Sequence, residues 1–181
     1  MSYKEKPLLK LYKYSAGFHL IAVIDDYASC SWERNKYQAG TFTIEINFNI
    51  PNAAKFENNL FIQFGNDGKD FGVITSITDA IGPDGKGSQI RTITGYDARY
   101  LLKRRIIRTL NAGDSWQFTG SGEDCIRHLV DSQCGSEAEE KRKLPILIDW
   151  NEETIGYEYS VSEAYSNLYE VCVTIATQTE T

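Results

Sequence analysis

The chain has 181 residues, 41% of them hydrophobic and 24% charged, with four prolines and a net charge of −6. That length covers one large domain or two small ones and removes roughly 70% of the unfolded surface from water, so a core forms without disulfide staples. No apolar run approaches the ~20 residues of a membrane span, residues 1–17 lack a signal-peptide core, and the acidic balance argues against nucleic acid as a partner.

Residues 7–95 read as one β-rich block. LLKLYKY (8–14) and FHLIAVID (18–25) flank a hairpin signal at Ser15–Gly17. YASCSWERNKY (27–37) leads through a turn at Gln38–Gly40 to GTFTIEINFNI (40–50). That segment alternates strictly, with Phe42, Ile44, Ile46 and Phe48 on one face and Thr41, Thr43, Glu45 and Asn47 on the other. Period-two alternation of this kind marks a half-buried strand. PNAAKFENN (51–59) is a turn or single helical turn, and LFIQFG (60–65) and FGVITSITD (71–79) flank the glycine-bearing loop NDGKD. A longer turn, IGPDGKGSQ (81–89), precedes a last strand, IRTITG (90–95). Seven strands at this spacing predict a small antiparallel barrel or sandwich.

The pattern changes after Gly95. Asp97, with Thr94 three residues before it, fits a loose capping box for a short helix over Tyr96–Lys103, and a strand is expected in RRIIRTL (104–110). A helix over 122–134 starts at Ser121 with Asp124 and stops at Gly135, with Cys125, Ile126, Leu129 and Val130 on its apolar face. GSEAEEKRKLP (135–145) reads as a charged loop, and LPILIDW (144–150) and IGYEYS (155–160) as a hairpin. Ser160 and Glu163 form a capping box for a final helix, in which Ala164, Leu168, Val171, Cys172 and Ile175 share a face.

Residues 99–108 carry Arg99, Lys103, Arg104, Arg105 and Arg108 with no acid among them. In an acidic chain, with only Tyr96 and Tyr100 nearby, this cluster reads as a structural joint whose guanidinium groups pair with surplus acids, rather than as a nucleic-acid grip. NDGKD and GPDGKGSQ lie between strands and lack P-loop or EF-hand spacing. His19 and His128 have no ligand-spaced partners, so neither metal nor cofactor is expected. Cys30, Cys125, Cys134 and Cys172 form no CxxC pair and read as free, partly buried thiols; Cys125 and His128 share a helix, but the cysteine lies on the apolar face, where a thiol is inert. No catalytic residue is assigned.

Three stretches, VIDDYASCSWERNKYQAGTFTIEI (23–46), FGVITSITD (71–79) and ITGYDARYLLKRRII (93–107), together carry a resemblance. Their order is an aspartate-bearing turn, a Trp-x-Arg-x-x-Tyr-x-x-Gly-x-Phe strand pair and a G-x-D-x-x-x-L-L-x-R-R-I element. This resembles the N-terminal region of tail hub proteins of long-tailed phages and prophages, including tail-associated lysins, over roughly residues 8–110 and more loosely beyond. The resemblance implies an α+β chain of the contractile-tail hub type: a β-barrel domain with a helix–strand joint over 1–110, then a small α/β domain over 111–181. It implies a structural role for Asp97, Leu101, Leu102, Arg104 and Arg105 at the joint, where they match the motif. It also implies a homotrimeric baseplate hub at the virion tail tip, made in the host cytoplasm, joining the tail tube or distal tail ring to fibre, spike or lysin. Such proteins continue into a second barrel and often a peptidoglycan hydrolase, so a chain ending at Thr181 is expected to be a fragment or a reduced relative. The alternative class is a carbohydrate- or peptide-binding barrel displaying Trp32, Trp116 or Trp150 at the host surface.

Overall fold

A computed structural model describes residues 6–65, 70–80, 89–109, 113–146, 148–150 and 153–181. The chain divides into two units, Met1–Ala98 and Arg99–Thr181.

In the first unit, seven strands form one antiparallel sheet: β1 Leu9–Tyr14, β2 Phe18–Ile24, β3 Ser29–Glu33, β4 Thr41–Asn47, β5 Phe61–Phe64, β6 Asp70–Ala80 and β7 Ile90–Asp97. The strand order is β2-β1-β5-β6-β7-β4-β3, so a central meander is flanked by two hairpins. A 3-10 turn over Pro51–Lys55 follows β4, where the single helical turn was expected. Alternation in β4 sends Phe42, Ile44 and Ile46 inward, beside Leu9, Leu11, Ile24, Ile62, Ile74 and Ile93. Residues 66–69 and 81–88 of the two glycine-bearing turns lie outside the described residues.

Where a small antiparallel barrel or sandwich was expected, the sheet is a curled half-barrel, with β2 and β3 as its two edges among the described residues. Two glycines explain the curl. Gly95 on β7 lies directly opposite Phe42 on β4, and a Cβ there would stand 2.1 Å from the Val73 carbonyl oxygen and 2.4 Å from the Phe42 ring. A Cβ on Gly72 of β6 would meet the same ring at 2.8 Å. Without side chains at these points the phenyl ring lies against bare backbone, a packing only glycine permits. Phe42 stacks on Trp32 of β3 at 5.3 Å and touches Phe64 of β5 at 5.4 Å, while Trp32 meets Phe64 at 4.2 Å. Strands far apart in the sheet order therefore meet through aromatic rings across its concave face. Bulges at Leu11/Tyr12 and Ile74/Ser76 add local bend.

The second unit is a helix pair on a two-stranded sheet. β8 Trp116–Ser121 pairs antiparallel with β9 Glu158–Glu163, and α1 Gly122–Cys134 and α2 Leu168–Thr179 pack beside it. The start of α1 is as read: the Ser121 hydroxyl accepts from the Asp124 amide and donates to its carboxylate, and Gly135 ends the helix. Three expectations are overturned. Residues 158–163 form a strand, so the Ser160/Glu163 pattern caps nothing, and Asn167 caps α2 by accepting from the amides of Tyr169 and Glu170. The hairpin partner of 155–160 is not 144–150 but β8, a strand the alternation did not reveal. Leu144, Ile146 and Ile148 instead pack, outside any strand, against a core of Ile107, Cys125, Leu129, Val161, Leu168 and Ile175.

Candidate functional site

The basic joint is built around two tethers, one in each unit. Asp97 ends β7, and its carboxylate accepts from the Gly40 amide at 2.7 Å while its own amide donates to the Gly40 carbonyl at 2.9 Å. It therefore clamps the start of β4; its expected capping partner Thr94 sits in mid-strand, opposite Thr43. The segment Ala98–Arg104 is a 3-10 turn rather than an α-helix, so residues three apart, rather than four, align along it. Accordingly Lys103 lies over the Tyr100 ring at 5.8 Å, and over Tyr169 of α2 at 4.8 Å. Leu101 is buried and Leu102 half-buried against the second core.

The second tether is Asn167. Its side-chain amide donates to the Lys103 carbonyl at 3.0 Å while its oxygen caps α2. Around it the expected strand over 104–110 is reduced to a single bridge, Ile106–Asn167, framed by bonds between Ile107 and both Tyr165 and Ser166. Arg104 is exposed and Arg105 half-buried, and the Arg105 guanidinium donates to the carbonyls of Arg142 and Arg104.

The charged stretch 135–145 is tied down at Arg142, which the sequence did not single out. Its guanidinium donates to the carbonyls of Gln133 and Ile106 and to the Gln133 side chain. Burial, and then the neighbouring charges of Arg108 and Arg105, push this guanidinium below its ordinary range. Gln133, almost fully buried, closes the network by accepting from the Arg108 amide at 2.8 Å and donating to its carbonyl at 3.1 Å. Residues 108–109, 114–117 and several within 132–142 thereby line an open cleft of about 540 Å³, among them Arg108, Asp114, Trp116, Gln117, Gln133 and Arg142.

The thiols lie in apolar packing. Burial pushes Cys30 and Cys134 up to about 11 and Cys172 to about 12, while Cys125 donates to the carbonyls of Gly120 and Tyr159. All four are free. Among the described residues no group of three His, Cys, Asp or Glu side chains is placed to hold a metal, and no helix is long and apolar enough to cross a membrane. The tryptophans do not form one display. Trp32 is stacked into the first core, whereas Trp116 and Trp150 belong to the second unit, where Phe118 and His128 connect them ring to ring at 6.1, 4.3 and 4.9 Å.

Comparison with known proteins matches residues 9–181 to the family described as Siphovirus ReqiPepy6 Gp37-like protein. Among solved structures the chain is similar to the prophage tail protein gp18 from Listeria monocytogenes EGD-e, with a TM-score of 0.55 and 8% identity. That superposition covers 95% of this chain and 46% of gp18, so the chain spans about half the length of that protein. No curated protein matches.

Proposed function

From the premise that this chain belongs to the Siphovirus ReqiPepy6 Gp37-like family, we propose that it is a structural protein of the tail tip. In this reading it is the hub or baseplate adaptor that joins the tail tube or distal tail ring to the spike, fibre or lysin. The observation that carries the reading is the fold itself, which follows a prophage tail protein across 95% of the chain. An assembly component must bury part of its surface against neighbours, and the first unit offers such a face. Tyr14, Phe18, Leu20 and Val23 are 42–55% exposed on and beside edge strand β2, over a ring cluster of Tyr12, Phe18, Phe61 and Phe71. An edge strand with exposed apolar side chains is a pairing liability in a monomer and an asset in an assembly.

Asp97 closes the first unit's last strand, Leu101, Leu102, Arg104 and Arg105 open the second unit, and a ring of three copies is the arrangement we infer. Arg104, exposed at the joint, is the one we assign to the subunit contact. The test is immunogold labelling and cryo-electron microscopy of particles from a phage carrying the tagged gene, alongside the Leu20→Glu and Arg104→Glu variants. Density at the tail tip, and particles without tips in either variant, support the proposal. A protein absent from purified particles, or present at the capsid, overturns it.

A further inference from the structure

The cleft of the second unit has no part in the assembly reading, and its chemistry is specific. At about 540 Å³ it falls in the size range of small-molecule sites. Its one large aromatic wall is Trp116, half-buried and stacked on Phe118. Around that wall stand both kinds of planar polar group. Arg108 and Arg142 supply N–H donors, and Asp114, Glu137 and Glu139 supply carboxylate acceptors.

The charge count decides between ligand classes. Two guanidinium groups alone point to phosphate or another anion, but three carboxylates share the cleft and leave its lining with a net negative charge. An anion would enter against that balance. A neutral polyol would not, and each of its hydroxyls both donates and accepts. A sugar ring also has a face of C–H groups that lies flat on an indole. Several of the polar groups are free to act. Among the described residues Asp114 and Glu137 accept no hydrogen bond, Arg142 uses Nε and Nη2 and leaves Nη1 over, and the Arg108 guanidinium reaches Glu139 alone, at 3.4 Å between two exposed side chains. Buried Gln133 spends its own hydrogen bonds holding Arg108 and Arg142 in place, so the wall is preorganised without a ligand.

We infer that this cleft is a carbohydrate-binding subsite, with Trp116 as the stacking platform and Asp114, Gln117 and Arg142 as the groups that read hydroxyls. Gln117 is shared with a shallower depression along β8 and β9, walled by Phe118, Ser160 and Ser162, so the ligand is an oligosaccharide running past the cleft rather than a single sugar.

The test is nuclear magnetic resonance of the isotope-labelled chain, following the Trp116 indole N–H during titration. The probes are the β-1,4-linked trimer of N-acetylglucosamine, maltotriose, galactose and inorganic phosphate. Saturable shifts with at least one oligosaccharide, weakened about 10-fold or more in Asp114→Ala and in Gln117→Ala, are the expected result. Both substitutions fall on exposed side chains, so the amide spectrum remains that of the folded chain. Shifts with phosphate and none with any sugar overturn the inference in favour of an anion site. No response to any probe overturns it, and so does sugar binding that both variants leave unchanged.

Discussion

The slot between Gly95 and Phe42 gives the sharpest test of how the first sheet curls. Gly95→Ala places a carbon 2.1 Å from the Val73 carbonyl oxygen, where real Cβ atoms do not come within 3.0 Å. The β6–β7 ladder must therefore open locally by about 1 Å. The same carbon stands 2.4 Å from Phe42 Cζ, and the ring has nowhere to go, being fully buried and sandwiched by Trp32 and Phe64. Overpacking a single contact costs about 1–3 kcal/mol. Two at once, one with immovable backbone, put Gly95→Ala at about 3 kcal/mol, a fall in Tm of about 15 °C for a unit of this size. Urea denaturation followed by tryptophan fluorescence measures it. Phe42→Leu in the same background relieves the ring clash but leaves the carbonyl clash, so the double variant recovers about 1 kcal/mol and remains less stable than Phe42→Leu alone. A Gly95→Ala protein within about 0.5 kcal/mol of wild type refutes the reasoning. Complete rescue by Phe42→Leu refutes the part that assigns the larger penalty to the backbone.

Three further outcomes follow from the structure. Asn167→Ala removes a helix cap and the tether to Lys103 together and costs about 2 kcal/mol, whereas Ser121→Ala loses only its cap and costs about 1 kcal/mol; equal urea midpoints for the two would contradict the tethering role. The thiols are protonated in the fold, and the unfolded chain loses its thiol protons first, near the ordinary value of 9. Stability is accordingly unaffected by them below pH 9 and declines from pH 9 toward about 12, and Cys172→Ala flattens that alkaline limb in urea midpoints taken at several pH values. On the acid side, the Arg91 hydrogen bond holds the Asp79 carboxyl below its usual 3.8, so its contribution is present above that pH and fades as pH falls further; Asp79→Asn makes the midpoint less sensitive to acid between pH 5 and 3.

What the sequence revealed divides along physical lines. The strands of the first unit were legible because each buries one face, so Phe42, Ile44 and Ile46 announce themselves by period two. The start and stop of α1 were legible because Ser121 and Gly135 act on backbone groups within a few residues. The second sheet was not, because β8 carries Trp116, Phe118 and Gly120 at only half-buried positions and its partner lies some forty residues away. Ser160 and Glu163 have the spacing of a capping box, but pairing with β8 outweighs that local preference, as tertiary contacts do when a ladder is available. The joint residues were picked from a motif, and the structure gives Asp97 a partner, Gly40, that no local spacing announces. The cleft had no signal at all, since its walls come from residues 108–109, 114–117 and 132–142 and are held together by one buried glutamine. Only an amide that satisfies two chain segments at once makes Gln133 special, and nothing in its neighbours betrays that.

The strand order of the first unit also sets a timetable for its synthesis. The β1–β2 and β3–β4 hairpins are complete once Asn47 has been made, but each docks onto the meander of β5, β6 and β7, which ends fifty residues later at Asp97. At elongation rates of about 5–20 residues per second that interval is roughly 3–10 s, against microseconds for a hairpin to form. Through it Leu9, Leu11, Phe42, Ile44 and Ile46 wait without their covering strands. On a polysome, identical hairpins wait side by side on neighbouring ribosomes, so one chain's meander can capture another chain's hairpin. The stretch from Asn47 to Asp97 is thus the window in which such exchange competes with each hairpin's docking in its own chain.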